Sequence, residues 1–216
     1  MAPAPSFRST AVVACGTLRP ELERLRDDGF LDCDNLLFTA PGLHEEPKQL
    51  EEQLDRVLAK ALETCSRAVV AYGDRCYIDP AKPEVTADVI LTRHRKPTTR
   101  VQALNCIDML ADADQRRDLA EGRKVYWLTP GWVRHWKYIF RKWDVGLANE
   151  TFPQHDVALV LDGVAFLDQY AAEHPEELLE FSDWMKIGIE PCDVSLDRLK
   201  GLLTDCLHRL PGLDQT

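Results

Sequence analysis

Short apolar runs that close on Gly or Pro alternate along the chain with longer segments of helical periodicity, which is how parallel β-α-β units read. Ala11-Val12-Val13-Ala14-Cys15-Gly16 is the first such run, and the helix after it carries Leu18, Leu22 and Leu25 with Pro20 in its first turn. Asn35-Leu36-Leu37-Phe38-Thr39 is the second. It leads through Pro41-Gly42-Leu43-His44 to a long helix with Leu50, Leu54, Val57, Leu58, Ala61 and Leu62 at helical spacing. Pro47 and Glu45-Glu46 suit the start of that helix, where acidic groups meet the positive end of its dipole. Ala68-Val69-Val70-Ala71-Tyr72-Gly73 predicts a buried strand opening into Asp74-Arg75-Cys76.

The pattern weakens between Tyr77 and Arg100, where three Pro interrupt it and Val85 to Leu91 predicts an edge strand. Val101 to Leu110 predicts a helix carrying Asn105-Cys106, and Trp132 to Phe140 another with Trp132, Trp136 and Phe140 on one face. Helices follow at about Val164 to Ala172 and Glu176 to Phe181, and Ser195 reads as the N-cap of a last helix through Leu199, Leu202 and Leu203. The expected strands are 11–15, 35–39, 67–72, 124–129, 156–161 and 185–189. Together these predict an α/β fold, a mainly parallel sheet flanked by helices and wound as two Rossmann-like βα lobes. Residues 1–10 are expected to be a flexible N-terminus, and 11–210 a single α/β domain with pseudo-repeat halves at 11–122 and 123–210.

Composition narrows the function. A chain of 216 residues, 45% hydrophobic and 29% charged, can bury a single core and is no disordered segment. Its 36 acidic against 26 basic residues give a formal charge of -10, which argues against nucleic acid and anionic lipid as partners. The start MAPAPSFRST has no apolar signal core and the apolar runs are strand-sized, so a cytoplasmic protein is expected. Seven scattered Cys point to reduced thiols and not to a disulfide framework. Neither G-x-G-x-x-G, nor a P-loop, nor a G-x-S-x-G elbow is present.

Ligands of open parallel sheets bind beyond the carboxyl ends of the strands. That rule collects Cys15, Thr17, His44, the Tyr72-to-Cys76 loop, Thr129-Pro130-Gly131-Trp132 and Asp162-Gly163 on one rim, with Cys106 joining if its helix approaches. Cys15, Cys76 and Cys106 would supply thiolates from three segments, with His44 as a fourth ligand. Such a set suits zinc; three cysteines with an open position suit an iron–sulfur cluster equally, and thiols that only pack need no cofactor. Arg75 at the rim would hold a carboxylate or phosphate, or else pair with Asp74 on the surface. Tyr72, Asn105 and Trp132 complete the candidate lining for a small-molecule substrate. Cys33, Cys65, Cys192 and Cys206 read as structural, and Arg93-His94-Arg95-Lys96 as a solvated basic face able to meet an anion.

Ala14-Cys15-Gly16-Thr17-Leu18, Leu43-His44, Tyr72-Gly73-Asp74-Arg75-Cys76, Asn105-Cys106-Ile107, Leu128-Thr129-Pro130-Gly131-Trp132 and Leu179-Glu180-Phe181-Ser182 together resemble a bacterial and archaeal family of unknown function, DUF1638. The resemblance runs from about Ala11 to Leu203. It implies a setting in corrinoid-dependent methyl transfer, with a methyltransferase or corrinoid protein as partner, and it implies Cys15, Cys76 and Cys106 as site residues. Many members carry His where this chain has Asn105, so a fourth ligand at that position is not expected here. Two functions follow as expectations: a cysteine-ligated metal protein or metalloenzyme, or a non-catalytic accessory that docks to a methyltransferase or corrinoid protein.

Overall fold

A computed structural model describes residues 6–77 and 86–211. Among the described residues, seven strands form two wholly parallel sheets, as the alternating pattern requires. The first has the order β2-β1-β3-β4, from Thr10–Cys15 (β1), Asn35–Thr39 (β2), Arg67–Ala71 (β3) and Thr98–Arg100 (β4). The second has the order β5-β6-β7, from Val125–Leu128 (β5), Val157–Asp162 (β6) and Ile189–Asp193 (β7).

Alternation along the strands sorts side chains to two layers. Val12, Ala14, Val69 and Ala71 pack under Leu22 and Leu25 of α1 (Arg19–Asp27) and under Leu199, Leu203 and Cys206 of α10 (Asp197–Arg209). Ala11, Val13, Ala68 and Val70 face Leu50, Leu54 and Leu58 of α2 (Pro47–Thr64). The second sheet lays Ala158 and Val160 against α6 (Pro130–Ile139), α8 (Phe166–Glu173) and α9 (Pro175–Met185), where Trp136 stacks on Phe181 at 4.9 Å. Trp132 and Trp136 are therefore core residues, as their helical spacing suggests. The last helix belongs by sequence to the second half, yet it covers the first sheet.

Several sequence expectations need correction. Residues 1–5 and Val85 lie outside the described residues, but 6–10 are not a loose tail: Phe7 is fully buried and its amide donates to Asp32 at 2.5 Å. Asp88–Leu91 is a helical turn (α3) and not an edge strand, because Ile90 and Leu91 turn inward together; the edge is β4. Only Cys106–Leu110 of the expected 101–110 helix is helical (α4), since Asn105 caps it by accepting the Asp108 amide at 2.9 Å. The 185–189 strand is displaced to β7: α9 runs to Met185 and Lys186 turns the chain at φ 58°. Cys192 thus lies in a strand. The N-cap of α10 is Leu196, while Ser195 accepts the Asp197 amide from one position earlier at 3.3 Å. Ala113–Ala120 (α5) and Val145–Thr151 (α7) complete the helices among the described residues.

Candidate functional site

The parallel register brings the strand ends to one level, with Cys15 opposite Thr39 and Ala14 opposite Ala71. Beyond them four turns converge on the carboxyl edge of the first sheet, and two glycines set how closely. A Cβ on Gly131 would stand 2.7 Å from Thr17 Cα, and one on Gly73 would stand 2.5 Å from the Asn105 amide nitrogen. No side chain fits either place. Hydrogen bonds lock the contacts: Thr129 donates to the Thr17 carbonyl at 2.9 Å and caps α6, while the amides of Asp74 and Arg75 donate to Ala103 and Leu104, each at 2.8 Å.

The turns deliver Cys15, Cys76 and Cys106 to a common neighbourhood. Cys15 and Cys76 border the α2 layer, and Cys106 touches the cores on the other side, so they meet across the sheet edge. Cys15 accepts from the Thr17 hydroxyl at 3.2 Å and Cys76 from the Gly73 amide at 3.3 Å. Burial pushes the Cys76 thiol far up, and the nearby Cys106 and Cys15 sulfurs add to the rise. Cys106 is pushed up to about 12 by burial and by Cys15; the Trp132 indole and the Thr17 hydroxyl work against the rise. The indole N–H nevertheless makes no well-formed hydrogen bond among the described residues, so it acts on the sulfur at longer range. Among the described residues, no three Cys, His, Asp or Glu side chains stand at a geometry that would already hold a metal ion.

The other expected residues divide. Tyr72 is fully buried, its hydroxyl against Thr39, and burial with Cys15 and Cys76 nearby keeps it protonated. Half-buried His44 lies 5.5 Å ring to ring from Trp132, and burial lowers its pKa, which leaves a neutral imidazole at the site. Asn105 is a helix cap. Arg75 is exposed, and the surface pair with Asp74 does not form: Asp74 binds Arg100 instead, at 2.7 Å.

Sequence reading missed Glu21. It is fully buried in the first turn of α1, and neither carboxyl oxygen has a hydrogen-bond partner among the described residues. Burial, reinforced by Asp162 and opposed by Arg134, pushes it up to about 8. Asp162 itself is saturated, accepting the amides of Val164, Phe166 and Leu167 at 3.2, 2.9 and 2.8 Å.

A family model described as a protein of unknown function, DUF1638, matches residues 38–203. The chain belongs to this family. No curated protein and no solved structure matches it. The DUF1638 match takes in His44, Tyr72, Arg75, Cys76, Asn105, Cys106 and Trp132, while Cys15 and Glu21 precede it. No helix among the described residues of this DUF1638 protein is long and apolar enough to cross a membrane.

Proposed function

We propose that Cys15, Cys76 and Cys106 are the ligands of one soft metal ion, zinc before an iron–sulfur cluster, in a protein of methyl-transfer metabolism that acts on a small molecule. The observation that carries this reading is the convergence of thiols from three separate turns at the sheet edge, where Cys15 and Cys106 both add to the rise at Cys76. Thiols are donors that zinc takes, the neutral His44 imidazole is of the same donor class, and side-chain rotation would have to close the set.

The alternative for converging thiols is a nucleophilic cysteine, and the electrostatics oppose it. A nucleophile must be a thiolate at working pH, yet the neighbours of Cys76 and Cys106 are other sulfurs, a carboxyl, neutral donors and backbone amides. A coordinated cation deprotonates thiols outright. Bound zinc would supply a Lewis acid able to hold a substrate thiol in its reactive form for methyl acceptance. The chain itself contributes the Trp132–His44 ring contact and the buried Tyr72–Thr39 hydroxyl pair.

Metal analysis of tag-free protein tests this. Wild type should carry close to one ion per chain, Cys76→Ser should lose most of it while remaining folded, and Cys206→Ser in α10 should keep it. Equal metal in wild type and Cys76→Ser overturns the ligand assignment. Metal-free wild type that takes up none from solution favours the accessory-protein reading, which draws on Val145, Leu147 and Leu179, exposed by 64%, 44% and 69%.

A further inference from the structure

The basic run Arg93-His94-Arg95-Lys96 is not simply a solvated face. Arg93 pairs with Glu51, His94 lies 3.1 Å from Asp55, and Lys96 donates to the carbonyls of Leu62 and Cys65 beneath the end of α2. Arg95 is exposed and has no hydrogen bond or ion pair among the described residues. Across the open edge of β4, Arg209 donates to the Arg100 carbonyl at 2.7 Å, to the Asp205 carbonyl and to the Cys206 sulfur, all neutral acceptors. Arg100 differs, being balanced by Asp74 at 2.7 Å and Asp88 at 2.8 Å.

His94, Arg95, Lys96, Arg100 and Arg209 line a cleft of about 480 Å³ with Asp88, the partner of Arg100, and Thr98, Thr99 and Gln102 add hydroxyl and amide groups. Helix capping accounts for Lys96 and Arg209, each at the negative end of a helix dipole. It accounts neither for Arg95 nor for three cations that make no ion pair among the described residues, gathered in a concavity whose one acidic lining residue, Asp88, is bound to Arg100. Lys96 precedes β4 and Arg209 bonds its last carbonyl, so the cations flank a strand roughly 10 Å long. We propose that this cleft binds a small-molecule anion with two separated phosphate or carboxylate groups, one at each end of β4. Arginine forks suit such groups, and the open strand edge offers further backbone donors. None of Cys15, Cys76 and Cys106 lines this cleft, and the proposal does not depend on their role.

Calorimetric titration at low salt tests it, with a hexose bisphosphate, adipate, inorganic phosphate and a neutral hexose as probes. The bisphosphate or adipate should bind at least about tenfold more tightly than inorganic phosphate, the stronger of the two identifying the anion class, and the hexose should not bind. Arg95→Glu and Arg95→Ala/Arg209→Ala should each weaken binding by about tenfold or more, while Arg117→Ala on the exposed face of α5 leaves it unchanged. Arg95 makes no hydrogen bond or ion pair among the described residues, so its variant keeps the test valid even where the double variant unfolds. Failure of both two-headed probes below about 10 mM, equal affinity for inorganic phosphate, or unchanged binding by Arg95→Glu overturns the proposal.

Discussion

Gly131 rests directly on the peptide of Thr17, with no room for a methyl group between them. The contact joins the turn after β1 to the start of α6 and so holds Cys15 near Trp132. Gly131→Ala should force these turns apart and cost about 1–3 kcal/mol, as overpacking in a rigid site does. Urea unfolding would measure it. A loss below about 0.5 kcal/mol would mean that the turns give way easily.

Glu21 makes a prediction about pH. Its pKa rises from 4.5 to about 8 on folding, so the folded state holds the proton more tightly than the unfolded state does. Below pH 4.5 both states are protonated and the group is neutral in its effect; as pH rises towards 8 the unfolded chain gives up its proton first, and stability falls. The slope should be on the order of 1.4 kcal/mol per pH unit in that window, levelling above it. Glu21→Gln should remove this component and gain in thermal midpoint over wild type between pH 5 and pH 8. Parallel pH profiles for the two proteins would refute the assignment.

The fate of Glu21 shows where sequence stops being informative. Strands β1, β2, β3, β5 and β6 were legible because each is a dense apolar run, and so was the parallel order they imply. Strand β7 was misplaced because Ile189-Glu190-Pro191-Cys192-Asp193 is largely polar, while the apolar Met185 and Ile187 just before it belong to the core. The thiols were legible as rim residues from the strand-end rule. Glu21 sits among Arg19, Pro20 and Glu23 in a stretch that reads as solvent-facing, and only the second half of the chain, folded against it, buries it. No local pattern encodes that.

Proton release tests the ionisation of the thiols. Cys76 and Cys106 are held protonated at neutral pH, so zinc binding at pH 7.5 must expel their protons. About two protons per ion or more should appear in calorimetry repeated across buffers of different ionisation enthalpy. Release of none, with zinc bound, would place the ion elsewhere.

Asp162 ties three amides at the start of α8, where Ala165 takes a left-handed conformation at φ 55°. Asp162→Ala strands those donors in a buried place and should cost about 1–3 kcal/mol. Ala165→Gly should gain up to about 1 kcal/mol by relieving the backbone. Chemical denaturation of both variants checks the opposite signs.

Helix α10 gives the fold a constraint in time as well as in space. Leu199, Leu203, Cys206 and Leu207 lie on Val12 and Val69, and Arg67 reaches the Pro211 carbonyl at 3.2 Å. The first sheet, finished in sequence by Arg100, therefore waits for about a hundred further residues before the face it shares with α1 is fully covered. During synthesis from the N-terminus α1 alone covers that apolar face, and the part that lies under α10 stays bare until α10 has been made.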